Sequence, residues 1–520
     1  MKISKTFLTF IFICLVLCTI QTQAQENIKL DFLIKNALVF DGSKNEPEKK
    51  DIGILGNKIA FIGTASQATK ATRTIDANGL YLSPGFIDPH THNDAYLNSK
   101  DSKTRENMPS LSQGVTTVFL GSDGSGGYQI GEKIDRYNQE KIGTNVALFI
   151  GLQSIRKKVI GEEDVEATAK DLSEMKALIA KGMEEGAFGL STGLFYPPQN
   201  YASTQEVIEL AKETEKYGGI YDTHMRSESN GLIEAIKENI AIGEKAKIPV
   251  MISHIKALGP AAWGKSEEVI ELIENAQAKG VNIFASQYPY VASQTSLRAM
   301  LLPQWAQSGG KEAALQRLNA YDTDEKLQND ISKNLAIRGG DSRIVISRAK
   351  NTSLVGKTLH EIATAGKLTP EKAAVEIIKE NFGVSAISFS MDPEDIDNFM
   401  KKPWVITGSD GGGAHPRTYG TFVRKIKKYA LDDHVISLTQ AIHRATGASA
   451  ELLNIKNRGF IKKGYFADLL LFDPKTINDN ATFEDPDRLP SGVQYVFVNG
   501  ELSIENGKPT GKLAGKALKK

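Results

Sequence analysis

GFIDPHTHND, residues 85–94, decides how this chain is read. Phe86 and Ile87 begin a short apolar strand, and His90 and His92, two residues apart, project from one face of it. The apolar residues before the pair make a solvent-facing placement poor. An HxH pair alone is weak evidence, because a packed histidine beside a turn residue would look the same. Its weight comes from the residues that follow at later strand ends: Asp123 in LGSDG, His224 in YDTHMR, His254 in ISHIK and Asp410 in ITGSDGG. Imidazoles and carboxylates are the donors that hold a borderline divalent ion such as zinc.

Outward from that stretch, short and nearly continuous apolar runs alternate with helical segments. GLYLSPGFID comes first, followed by runs at 114–121, 145–151, 186–191, 218–224, 247–254, 280–290 and 403–409. TQEVIELAKETEKY and SEEVIELIENAQAKG stand between two pairs of them. Apolar strands alternating with helices indicate a parallel sheet covered on both faces. Eight such strands predict an α/β fold, a (β/α)8 TIM barrel over residues 85–454. An open doubly wound sheet is the structural alternative. The gap between the seventh and eighth strands is too long for one crossover and predicts an insertion at about 298–345, followed by another helical stretch. Residues 26–84 and 455–520 have a different texture, short β-type runs broken by Gly and Asn turns. These two end segments predict one small β-sandwich beside the barrel.

The first 24 residues read as a secretory signal. Lys2 and Lys5 precede an apolar run from Phe7 to Ile20, and Thr22 and Ala24 flank a cleavage point before Gln25. The run is short for a membrane span of about 20 residues. Lipidation at Cys18 is a weaker alternative, because Leu17 is bulky where a small residue is expected. The expected location is therefore outside the cytoplasm, periplasmic first and secreted second. Cys14 and Cys18 are the chain's only cysteines, so the mature chain has no disulfide, thiolate ligand or thiol nucleophile. Removing Lys2 and Lys5 takes the formal charge from +1 to −1, which offers no electrostatic case for a nucleic-acid partner. The Lys-rich tail ending in KALKK reads as a solvated end.

Polar residues at the ends of barrel strands point into the mouth, where active sites form. Asp410 is a candidate general base and acid, as well as a metal ligand; a turn or helix-cap aspartate is the plainer reading. Arg417 lies seven residues beyond Asp410, and Lys256 shares the face of His254. Tyr290 and Ser296 lie beyond the seventh strand. An arginine fork suits a carboxylate.

The stretches PGFIDPHTHND, GLSTGLFYPP, YDTHMR, ISHIKALG, QYPYVASQTSL, ITGSDGGGAHPRTYGTF and KKGYFADLLLFDP extend over nearly the whole mature chain. Together they resemble the D-aminoacylase / N-acyl-D-amino-acid deacylase family of the amidohydrolase superfamily. The resemblance implies zinc-dependent hydrolysis of an N-acyl-D-amino acid to a carboxylate and a free D-amino acid. It places a tight zinc site on His224 and His254, a second and weaker metal position at His90 and His92, and the catalytic aspartate at Asp410. Lys256, Tyr290, Ser296 and Arg417 match the residues that hold the substrate's α-carboxylate. Where the family commonly has GNCG, this chain reads GSDG, which makes Asp123 the candidate bridging ligand. FGLSTG has no lysine to carboxylate on the fourth strand, and GLQSIR replaces a GHG-like turn after the third.

The expected partner is a small N-acylated amino acid or a dipeptide, with no nucleic acid and no stable membrane insertion after cleavage; the oligomeric state stays open. Two other functions remain in view at this point. One is a metallo-dipeptidase for D-residue-containing or unusual dipeptides. The other is a catalytically dead solute-binding protein on the same barrel, which the retention of Asp410 and all four strand-end histidines argues against.

Overall fold

A computed structural model describes residues 29–520, so the proposed signal segment lies outside the described residues. Eight parallel strands form the central sheet: β1 (Phe86–Asp88), β2 (Val115–Leu120), β3 (Asn145–Gly151), β4 (Gly189–Gly193), β5 (Ile220–His224), β6 (Val250–Ile252), β7 (Ile283–Gln287) and β8 (Val405–Thr407). They pair in sequence order. The ring closes at its upper rim, where Thr91 bridges Gly411 and the Asp410 N–H donates to the His90 carbonyl at 2.9 Å. Every residue of β2, β3, β4 and β5 is buried, as expected of strands packed on both faces.

The surrounding helices form for local reasons that the sequence carries. Thr168 and Asp171 make a reciprocal capping box at the start of the helix Ala169–Glu185, and Gly186, at φ 118°, ends it. Ser203 caps the helix Thr204–Glu215, which buries Val207, Ile208, Leu210 and Ala211 against the barrel. Among the described residues, no helix is long and apolar enough to cross a membrane.

Segments from both ends of the described chain meet in one β-domain. Five strands between Leu30 and Pro84 and four between Leu469 and Pro509 form a nine-stranded sheet. The ends are joined where Tyr81–Pro84 pairs antiparallel with Leu469–Phe472. The expected sandwich is thus one continuous sheet curled over a shared core. Phe32 meets Phe497 edge-on at 5.1 Å, and the Ile59 N–H donates to the Tyr465 carbonyl.

Two features depart from the sequence reading. The insertion after β7 runs well past the expected 298–345. Its three-stranded sheet pairs Ser293–Ser296 and Ile344–Arg348 with Ser385–Ser388. Four helices longer than a turn or two, Gly310–Asn319, Glu325–Ile337, Leu359–Gly366 and Pro370–Glu380, complete a body with its own core of Leu327, Ile331, Ile346, Leu359 and Ile378. The closing strand, SAIS, is too short and plain to announce itself. The KALKK tail is not a solvated end either. Ala517 bridges Val146, the Val146 N–H donates to the Lys516 carbonyl at 2.9 Å, and the Lys520 ammonium donates to the Tyr217 carbonyl at 2.7 Å. The tail runs beside the start of β3, and Gly515 is required there: a Cβ would lie 2.0 Å from the Thr144 carbonyl oxygen.

Candidate metal centre and active site

All six ligand candidates converge at the upper rim of the barrel. His90, His92, Asp123 and Asp410 place one ligand atom each within 4.8 Å of one another, and so do Asp123, His224 and His254. Asp123 belongs to both groups. Its Oδ1 lies 3.3 Å from His90 Nε2, 3.5 Å from His254 Nε2 and 3.7 Å from His224 Nδ1, while its Oδ2 lies 3.4 Å from His92 Nε2. Asp410 Oδ1 faces His92 Nε2 at 3.2 Å and His90 Nε2 at 3.6 Å.

Four of the facing atoms, His90 Nε2, Asp123 Oδ1, His224 Nδ1 and His254 Nε2, are buried without a hydrogen-bond partner. Buried polar atoms normally find one, so four orphans aimed at one point mark a site for a cation. Electrostatics agree. Burial pushes the His92 pKa down, but the Asp123 and Asp410 carboxylates outweigh it and raise it to about 10. Burial pushes Asp410 up, yet Arg417, His254 and the hydrogen bond from His92 hold its carboxyl well below the usual range. Imidazole and carboxylate donors without a thiolate fit zinc or a similar borderline ion.

Backbone strain gathers at the same place. Asp123, His254 and Asp410 have φ of 55°, 38° and 49°, in the left-handed region that side chains rarely adopt. Asp123 is held there by its neighbours: Gln199 Nε2 donates to its carbonyl at 2.9 Å, and the next N–H, of Gly124, donates to Ser191 Oγ at 3.1 Å. Gly124, at φ 70°, lies so close to Gln199 that a Cβ would fall 1.9 Å from that side chain.

A polar layer beneath the ligands orients them. Asp222, two residues before His224 on β5 and therefore on the same face, is fully buried. It accepts hydrogen bonds from Ser253 Oγ and, at 2.6 Å, from Ser191 Oγ; Ser253 Oγ in turn meets His90 Nδ1 at 2.8 Å. This chain sets which nitrogen of His90 faces the centre. Glu228 does the same on the other side. Its Oε1 lies 3.0 Å from His254 Nδ1 and accepts from Lys256 Nζ at 2.6 Å.

A cavity of about 470 Å³ opens over this centre, and Lys256, Ser296 and Arg417 line it. Arg417 Nη1 approaches Asp410 Oδ2 to 2.6 Å, yet its Nε and Nη1 have no acceptor in hydrogen-bond geometry. The Ser296 hydroxyl also accepts from the Ala299 N–H as the cap of a short helix. Tyr290 lies elsewhere. Its hydroxyl faces the Pro416 carbonyl at 3.4 Å, and its ring packs against His415 and Phe483. The strand ends at Gln287 and the chain turns near Pro289, so Tyr288 lines the cavity instead, with the Arg417 guanidinium 4.8 Å from its ring centre.

Sequence reasoning missed Asp222, Glu228, Tyr288 and Arg338. The spacing of Asp222 from His224 could have revealed the first. Glu228 and Arg338 reach the site from a loop and from the insertion, where no strand period marks them.

A barrel with histidine and aspartate donors on several strand ends defines a metal-dependent amidohydrolase, and comparison with known proteins is specific. The profile described as "Amidohydrolase family" matches residues 362–504. D-aminoacylase of Alcaligenes xylosoxydans xylosoxydans is 33% identical, over 94% of this chain and 97% of its own. A crystal structure of D-aminoacylase, 32% identical, superposes with a TM-score of 0.81 over 94% of this chain and all of the other. The N-acyl-D-glutamate deacylase of Bordetella bronchiseptica, solved with zinc and a phosphonate inhibitor, gives 0.80 at 26% identity over 95% of this chain and all of that one. The chain belongs to the D-aminoacylase / N-acyl-D-amino-acid deacylase family of amidohydrolases.

Proposed function

We propose that this enzyme is a zinc-dependent deacylase that hydrolyses the amide bond of N-acyl-D-amino acids, giving a carboxylate and a free D-amino acid. The observation that carries this reading is Asp123, shared by two imidazole sets whose facing atoms are otherwise orphaned, with Asp410 and Arg417 paired beside them. His224, His254 and Asp123 would hold the tight zinc, and His90, His92 and Asp410 with Asp123 a second, weaker ion. When bound there, the ion makes water a stronger acid and polarises the scissile carbonyl.

The remaining work falls to the protein's own side chains. Asp410 takes a proton from the attacking water and returns it to the leaving nitrogen, the role of a positioned general base and acid. Arg417, with buried donors lacking an acceptor, and Lys256 beside it hold the α-carboxylate and thereby orient the acyl carbonyl. Asp222 through Ser253, and Glu228 through His254, keep the imidazoles aimed.

The test is a metal assay together with a substrate panel. Zinc-loaded enzyme should turn over N-acetyl-D-amino acids and leave the L-isomers untouched. Turnover of dipeptides alone would replace this reading with a dipeptidase, and no turnover after metal loading would reject it. Export is part of the same proposal, supported by the basic start, apolar run and cleavage point in residues 1–24. A recovered mature chain beginning at Gln25 in the periplasmic fraction is the expected result; retention of Met1 on the cytoplasmic protein would contradict it.

A further inference from the structure

Arg338 stands at the C-terminal end of the insertion helix Glu325–Ile337 and lines the cavity over the metal centre. Only 7% of it is exposed. A buried guanidinium normally has an anion or several carbonyls around it, because desolvating an unpaired charge is costly. Among the described residues, this one makes no hydrogen bond and no ion pair; Glu228, Tyr196 and Tyr288 are its electrostatic neighbours. Glu228 serves Lys256 Nζ at 2.6 Å and His254 Nδ1 at 3.0 Å through Oε1, has His224 Nε2 3.8 Å from Oε2, and makes no ion pair with Arg338. An arginine at this position could serve its own helix by donating to the last carbonyls. Here the backbone N–H of Arg338 serves Ala336 and Leu335, while its side chain extends toward the Phe195 ring on the cavity wall.

The other cations of the cavity are accounted for. Lys256 has Glu228, and Arg417 faces Asp410. Arg298 donates to Gln307 Oε1 at 2.9 Å and lies over the Phe382 ring, and Arg348 is exposed to solvent. Among the described residues, Arg338 differs from these: Arg417 has at least Asp410, whereas the Arg338 guanidinium has neither a hydrogen-bond nor an ion-pair partner. A substrate with one carboxylate, held by Arg417 and Lys256, leaves it so.

We propose that Arg338 binds a second carboxylate on the substrate, so that the enzyme selects dianionic N-acyl-D-amino acids. The assignment rests on the deacylase reading above. The second carboxylate belongs either to an acidic amino-acid side chain or to a dicarboxylic acyl group; both present the same chemistry to the guanidinium, a planar acceptor for two parallel N–H donors.

The decisive comparison sets each acid against its neutral amide isostere. N-acetyl-D-glutamate against N-acetyl-D-glutamine tests the amino-acid side. N-succinyl-D-leucine against N-succinamoyl-D-leucine tests the acyl side. In one arm the acid should exceed the amide in kcat/KM by about 10- to 100-fold, the worth of a charge-assisted contact. The Arg338→Gln variant should bring that ratio near one, chiefly through KM, and Arg338→Lys should restore part of it. Calorimetric titration of the zinc-loaded full chain with glutarate and its monoamide gives a reading independent of turnover. Wild type should prefer glutarate, and R338Q should not. An equal acid-to-amide ratio in wild type and R338Q in both arms, or an equal preference for glutarate, overturns the assignment. Absence of any N-acyl-D-amino-acid turnover would sink the deacylase reading instead, and the glutarate titration would still decide the role of Arg338.

Discussion

The metal centre and the cavity wall facing it are built on opposite plans. The centre takes its donors from the ends of barrel strands, fixed by a sheet buried on both faces and held with strained backbone at Asp123, His254 and Asp410. Much of the wall comes from an insertion with a core of its own, placed between β7 and β8. The barrel core and the insertion core share no residues. In a fold of this kind the reaction is set where strands end, and the choice of substrate is set by whatever the chain inserts above them.

That division ranks a series of substitutions by their effect on turnover. Asp123→Ala should be the most severe, because one carboxylate faces all four imidazoles. Metal content measured by mass spectrometry should collapse, and turnover should fall by more than the roughly 100-fold that loss of an outer partner costs. Normal metal content and rate in this variant would remove Asp123 from the centre. Asp410→Asn should follow, with kcat lower by about 10²- to 10⁴-fold, as for loss of a general base. The tight ion on His224, His254 and Asp123 should remain, so one retained zinc per chain beside a collapsed kcat separates proton transfer from ligation of that ion. Asp222→Asn comes next. It loosens the Ser253–His90 contact without touching the ion, and metal affinity should weaken by about 10- to 100-fold.

The same contrast explains what was legible in the amino-acid sequence. His90, His92, His224, His254 and Asp410 could be read because a strand's two-residue period and its apolar run point to the rim together. The eight-stranded barrel and the meeting of the chain ends followed from the same periods. Tyr290 could not be placed, because the chain turns near Pro289 and the face it presents depends on that turn. Arg338 carries no local mark at all: it is a helix-terminal arginine whose surroundings come from Phe195 and Glu228, more than 100 residues earlier. The KALKK tail was misread for a similar reason. Its composition suits water, but its backbone finds Val146 and Gly186 and its last ammonium finds the Tyr217 carbonyl, so hydrogen bonds to the barrel hold it.

The smallest expected effect on the centre, and the sharpest check of the division itself, comes from Ile331→Ala. Ile331 is fully buried in the insertion core, on the helix that ends at Arg338. Removing its side chain should destabilise that body by about 2–5 kcal/mol, the usual cost of a large-to-small core change. If the two regions are separate cooperative units, calorimetry should show an early transition moving down while the barrel transition holds, with bound metal unchanged. KM should rise severalfold as the helix carrying Arg338 loosens, and kcat should stay within a factor of a few. Loss of metal together with a single lowered transition would show instead that the wall and the rim fold as one. Specificity and catalysis could then not be altered independently, because any change to the insertion would also reach the strand ends.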